Sequence, residues 1–215
     1  MSVLDLPRPE WMNEELDLLS ESARRFFEQE CAPHYDRWER EGSVGRETWE
    51  KAGVLGLLGA EIPEEYGGPG GSHAHHAGLT LEAKRAGIDG FGAPLHNAIV
   101  APYILHYGSE EQKQRWLPRM ATGELIGAIA MTEPAAGSDL QGTRTVARRD
   151  GNHYVISGSK TFITNGAVAN LIVTVTKTDT SKGAKGMSLF VVETDEVEGF
   201  RRGRKLDKVG LKAND

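Results

Sequence analysis

The chain has 215 residues, 39% hydrophobic and 26% charged, with a formal net charge of −6. That length holds one large domain or two small ones, the acidic balance argues against general binding to a phosphate backbone, and no apolar run reaches the length of a membrane span. Its one cysteine, Cys31, excludes an internal disulfide and a cysteine-based metal cluster, and the N-terminus MSVLDLPRPEWMNEEL lacks both a signal-peptide core and the Arg/Ser-rich amphipathy of a transit peptide, so a cytoplasmic protein is the simplest reading.

Up to Leu125 the chain reads as helical. Leu16, Leu19, Ala23, Phe26 and Glu30 step by three or four, with Phe27 and Cys31 widening the apolar face and Pro33 marking a break. A helix over Arg46–Val54 turns Trp49 and Ala52 to one side. Another over His76–Ala86 carries Leu79, Leu81 and Ala83, with Glu82 and Lys84 outward. Ala93–Tyr107 is mostly apolar and reads as buried, with Leu95, Ile99, Ile104 and Leu105 as its bulk, and Gly108-Ser109 stops it. Ser109 and Gln112 then form a capping box for a helix bearing Trp116 and Leu117.

After Leu125, threonine and valine become common and the runs shorten. LIGAIAM (125–131) reads as a strand. Thr143–Arg148 and His153–Ile156 flank Asp150-Gly151-Asn152, a hairpin signal. Lys160–Thr164, Leu171–Thr176 and Met187–Glu193 are further β-branched or apolar runs. The expectation is an α+β chain: a helical domain over 1–124, then a β domain over 125–215 forming a small antiparallel barrel or sandwich.

The segment AMTEPAAGSDLQG (130–142) carries the most information. A strand ending in a hydroxyl, a carboxylate and a glycine-bearing turn exposes backbone donors and acceptors beside small side chains, so a flat polar ring can approach the main chain. Taken alone, it reads equally as an ordinary strand and turn. With IPEEYGGPGG (62–71), GSEEQKQRWLP (108–118), GSKTFITNGAVAN (158–170) and KLDKVGLKAND (205–215), however, it resembles the acyl-CoA dehydrogenase family over nearly the whole chain, in wording nearest the long-chain-type members. Two positions depart from the common family wording: Phe162 stands where many members carry Trp, and Ala135 where Gly is frequent.

The resemblance implies FAD-dependent α,β-dehydrogenation of an acyl-CoA thioester to a trans-2-enoyl-CoA, with the α proton taken by a carboxylate and the β hydrogen leaving as hydride to the flavin. It implies that Ile129, Ala130, Met131 and Thr132 lie along the flavin's pyrimidine edge. Gly137 and Ser138 sit at the turn, Ser138 toward cofactor or CoA, and Phe162, Ile163 and Thr164 form a second wall. It further implies an electron-transferring flavoprotein as electron acceptor and a homo-oligomer, tetramer or dimer. The family's proton-abstracting glutamate belongs to a C-terminal helical bundle that no segment here matches. No catalytic residue is therefore assigned in this chain, which reads as the flavin- and substrate-cradling half. The last residues resemble a stretch that normally leads into more chain.

Without the family match, Phe162 and Ile163 read as β-core residues and Thr132 and Thr164 as strand threonines. Glu133 and Asp139 read as turn-capping carboxylates, and Glu61, Glu64, Glu65 and Glu82 as solvated or capping. His73, His75 and His76 read as polar surface rather than a metal site, so no metal is expected. GGPGGS is not a phosphate loop, and no GxGxxG occurs. Arg201, Arg202, Arg204, Lys205 and Lys208 read as a solvated basic face, the alternative being contact with CoA phosphates or a neighbouring acidic patch. Leu95 and Ile99 are core or the lining of an acyl slot. Two other functions stay open: a flavin monooxygenase or nitroalkane-oxidase-like enzyme of the same fold, and a non-catalytic acyl- or flavin-binding fragment.

Overall fold

The computed structural model describes residues 9–214. The first half of the segment read as free of targeting signals, residues 1–8, and the final Asp215 lie outside the described residues.

Helix α1 (Glu14–Phe26) begins where Asn13 Oδ1 accepts the Leu16 N–H at 2.9 Å. Glu14, Glu15 and Asp17 sit in its first turn and Arg24 and Arg25 in its last, complementing the helix dipole. It runs into a π-helical turn, Phe27–Cys31, and ends at a 3₁₀ turn containing Pro33. Helices α2 (Tyr35–Glu41), α3 (Arg46–Val54) and α4 (His73–Arg85) follow. Next, α5 (Ala93–Leu95) continues through a π-helical turn, His96–Val100, into α6 (Ala101–Tyr107). The capping box expected at Ser109 and Gln112 closes in both directions and opens α7 (Glu110–Ala121).

One expectation fails on α4. Glu82 is not outward or solvated but 1% exposed, held between Arg24 of α1 (2.9 Å) and Arg85 (2.6 Å). Helix α4 lies along α1, so the face that carries Glu82 becomes an interface, and a buried carboxylate persists only with such partners. Ile99 departs in the other direction: it is 41% exposed, whereas Ile104 is buried and Leu95 and Leu105 are partly covered.

The sheet has five strands: β1 (Gly127–Ala130), β2 (Val146–Asp150), β3 (His153–Ser157), β4 (Leu171–Lys177) and β5 (Met187–Glu193). Strand β4 is central. β5 pairs antiparallel along one edge, while β1 and then β2 pair parallel along the other, and β2–β3 is the expected hairpin. The helical-then-sheet order matches the expectation, but the sheet is mixed rather than antiparallel, and no closed barrel forms among the described residues. The reason lies in the connection. A long excursion, 131–170, separates β1 from β4, which is what a parallel neighbour needs and what short antiparallel hairpins do not. Both faces of β1 and β4 are covered, so β4 is a continuous buried run without alternation. Ile129, Leu171 and Val173 join the helical core beside Leu117 and Val100, while Ala128, Ala130 and Ile172 pack on the opposite face.

Candidate flavin cradle

The site is built from the outer edge of β1. Gly127 turns both backbone groups away from β4: its N–H donates to His96 Nδ1 (3.0 Å), and its carbonyl accepts from Asn165 Nδ2 (3.1 Å). N–H and C=O of one strand residue point the same way and alternate along the chain. Ile129 and Met131 therefore also face that outer edge, whereas Ala128 and Ala130 face β4. Of the four residues expected along the edge, the backbone groups of Ala130 serve the sheet ladder.

His96 is fully buried. Accepting the Gly127 N–H fixes its tautomer, so Nε2 carries the hydrogen and donates to the Met120 carbonyl at 3.1 Å. Burial holds this imidazole down at about 4. Asn165 is buried with φ 65°, and its amide also reaches the Gly92 carbonyl (3.1 Å). Arg46 of α3 binds the carbonyls of Glu124 and Val168 and the side chain of Asn170. These side chains tie the helices to the sheet and set where β1 begins.

The two stretches expected to face the ligand lie against each other. The Thr161 N–H donates to the Thr132 carbonyl at 2.9 Å, and Lys160 Nζ donates to the Met131 carbonyl at 2.9 Å. The next residue, Phe162, sits at φ 57° and is 72% exposed. A bulky residue in left-handed backbone costs about 1–2 kcal/mol, and here no core burial compensates it. Phe162 is thus not the β-core residue it resembles in isolation. Lys160–Thr164 does not form a strand, because the chain leaves extended geometry at Phe162. Ile163 does pack, against the small face of Ala128 and Ala130. The hydroxyls of Thr132, Ser138 and Thr164 have no hydrogen-bond partner among the described residues.

The signature turn is arranged around Glu133. Its backbone pairs with Ala136 in both directions (2.8 and 3.1 Å). Its buried carboxylate accepts from Arg144 N (2.7 Å), Thr145 N (3.0 Å) and Lys160 Nζ (2.9 Å). Burial alone would raise this carboxyl; the donors from Thr145, Arg144 and Lys160 outweigh it and hold it at about 2. Those contacts occupy the N–H groups of Arg144 and Thr145, while the Thr145 carbonyl accepts from Lys177 N of β4 at 2.8 Å, and β2 starts at Val146 rather than Thr143. Asp139 caps the 3₁₀ turn Leu140–Gly142 by accepting from Gln141 N. Both carboxylates are capping groups, as expected. Ala135 has no left-handed backbone, so alanine there is unstrained. Gly137 and Ser138 lie exposed on this turn, and a Cβ at Gly137 would meet nothing within 4 Å. No hydrogen bond ties Ser138 to the 162–164 wall.

Reading the sequence missed Lys160, His96 and Asn165 as positioning groups. Asn165-Gly166 carried a signal, since asparagine tolerates left-handed backbone. His96 carried none, being one polar residue in an apolar run. Elsewhere, His73 contacts Glu61, and His75 contacts Glu15 and the Ser72 backbone. No metal-binding cluster of three or more His, Cys, Asp or Glu occurs among the described residues. In the basic run, Arg202 reaches the Ala169 carbonyl and Lys205 the Glu41 carbonyl, while Arg201 and Arg204 are exposed. Among the described residues, no helix is long and apolar enough to cross a membrane.

The fold and its two-part order define a known class. The profile of the acyl-CoA dehydrogenase N-terminal domain matches residues 13–124, and that of the middle domain residues 128–215. This chain belongs to the acyl-CoA dehydrogenase family. It is 50% identical over 203 residues to the long-chain specific acyl-CoA dehydrogenase, mitochondrial, of Sus scrofa, covering 94% of this chain and 47% of that protein. A crystal structure of acyl-CoA dehydrogenase from Geobacillus kaustophilus superposes with a TM-score of 0.92 at 48% identity, covering 96% of this chain and 55% of that one. A glutaryl-CoA dehydrogenase from Mycobacterium smegmatis, solved in complex with FADH2, superposes with a TM-score of 0.85 at 31% identity, covering 94% and 51%. The chain thus spans about half the length of the relatives it matches.

Proposed function

We propose that this chain forms the flavin- and acyl-CoA-cradling half of an FAD-dependent acyl-CoA dehydrogenase that oxidises a long-chain-type thioester to the trans-2-enoyl-CoA. The observation that carries the reading is Phe162: a solvent-exposed aromatic in strained backbone, one residue from the Thr161–Thr132 hydrogen bond. Strain of that kind persists where a site requires it. The unpartnered hydroxyls of Thr132 and Thr164 and the outer edge at Ile129 and Met131 suit the donors and acceptors of a pyrimidine edge, and the neighbouring ring of Phe162 suits a flat face. When bound, the flavin supplies the two-electron sink. The chain's own groups bind and orient it; Glu133 is committed to three donors, and the family resemblance assigns proton abstraction to a glutamate that no segment here matches. Electrons then pass to an electron-transferring flavoprotein, and the complete enzyme works as a homo-oligomer.

The test is titration of the 215-residue chain with FAD, followed by flavin fluorescence quenching. Wild type is expected to quench, and Thr132→Val with Thr164→Val to weaken binding at least tenfold without changing the thermal midpoint. Bleaching by a long-chain acyl-CoA is expected only when a C-terminal bundle is fused. Turnover by the short chain at a comparable rate would overturn the assignment of the base, and oxygen consumption without acyl-CoA would favour the monooxygenase reading.

A further inference from the structure

Backbone contact alone does not hold the two ligand-facing stretches together. Lys160 Nζ donates at 2.9 Å both to the Met131 carbonyl and to Glu133 Oε1. The pair is secluded, with side chains 10% and 4% exposed. Glu133 is in turn fixed by the N–H groups of Arg144 and Thr145 at 2.7 and 3.0 Å. One ammonium therefore bridges the signature turn, the end of the β1 edge and the stretch that leads into Phe162. A buried pair of this kind contributes little to net stability compared with an apolar pair of the same shape, but losing one partner leaves the other charged and unpaired.

We infer that Lys160 and Glu133 form a positioning clasp, which fixes the register of 131–133 against 160–162 and holds Phe162 in its left-handed display. The inference rests on the flavin reading above. It goes further by assigning the preorganisation of the cradle to two side chains that do not themselves face the ligand. The clasp also selects which edge groups remain. It commits the Met131 carbonyl to Lys160, so the Met131 N–H and the backbone of Ile129 are the groups left to read a ring edge. Because Glu133 neutralises Lys160, the clasp offers the ligand geometry rather than net charge.

The experiment compares wild type, Lys160→Met, Lys160→Arg and Glu133→Gln as full 215-residue chains. It measures FAD dissociation constants under folded conditions and hydrogen exchange at the Thr161 amide. All four tryptophans precede Leu125, so tryptophan emission reports separately that the helical half is folded. Lys160→Met is expected to weaken FAD binding at least tenfold and to speed Thr161 exchange at least tenfold, with the helical half still folded. Lys160→Arg restores most of both, and Glu133→Gln gives an intermediate loss. Should Lys160→Met fail to fold, Glu133→Gln, close in shape to the native residue, decides by the same two readouts. A purely structural role predicts a lower unfolding midpoint with FAD affinity and Thr161 protection unchanged under folded conditions; that result overturns the clasp. If wild type itself takes up no FAD, the flavin reading fails, and Thr161 protection alone decides the clasp: its loss in Lys160→Met supports it, its retention refutes it.

Discussion

His96 accepts the Gly127 N–H at 3.0 Å with a nitrogen that can do so only while the imidazole is neutral. In the unfolded chain this histidine titrates near 6.5, and in the folded one burial lowers it to about 4. Between these values the unfolded state holds the extra proton, so stability present above pH 6.5 is lost as the pH falls toward 4, by about 3 kcal/mol over the window. Urea midpoints measured from pH 7.5 to 4 should show that decline, and His96→Gln should flatten it. Glu133, held at about 2 against an ordinary 4.5, adds a separate loss as the pH falls from 4.5 toward 2, which the same measurement carried below pH 4 should show and Glu133→Gln should remove.

Asn165 spans two carbonyls, Gly92 and Gly127, from left-handed backbone. Asn165→Ala loses both hydrogen bonds and keeps the backbone strain, for a cost of about 3 kcal/mol, whereas Asn165→Gly relieves the strain and costs about 1 kcal/mol less. Gly92 is coupled to it, because a Cβ there would lie 1.8 Å from Asn165 Oδ1. Gly92→Ala should therefore be severe alone and mild on the Asn165→Gly background, a non-additivity that a double-mutant cycle in urea would reveal.

Phe162 combines strain with exposure. Replacing it by glycine is expected to stabilise the flavin-free chain by about 1 kcal/mol and to weaken FAD binding, while Phe162→Trp, which restores the common family residue, should bind at least as well as wild type. Thermal melts without cofactor and quenching titrations with it separate the two effects. A flavin affinity unchanged in Phe162→Gly would remove the ring from the site.

Cys31 is fully buried, and desolvation pushes its thiol up to about 12. A colorimetric disulfide reagent at pH 8 should leave it unlabelled in the folded chain and react with one thiol per chain in denaturant. Rapid labelling without denaturant would show that the turn Phe27–Cys31 opens locally.

Sequence by itself determined most of the element types, the run Lys160–Thr164 being the exception. Caps at Ser109 and Gln112, the hairpin at Gly151-Asn152 and the helical period of α1 are local, so they are written in neighbouring residues. The signature turn was legible for the same reason: a glycine-bearing turn, capping carboxylates and a run of small residues leave a pattern that spans a dozen positions, whereas its partner segment was legible only through the family resemblance, since Phe162 and Ile163 read alone as β-core residues. What only the tertiary structure decided is which polar groups close the long-range contacts. Glu82 looked like a surface residue until α1 brought Arg24 to it. Lys160 was one lysine in a motif until the chain returned past Met131 and Glu133. His96 looked like a stray polar residue until β1 began at its Nδ1. The parallel order of β1 and β4 likewise depended on where a long connection delivered the chain. Such pairings join residues tens of positions apart, and their identity follows from burial, where an unmet donor or charge is expensive; no local spacing in the chain records which partner will arrive.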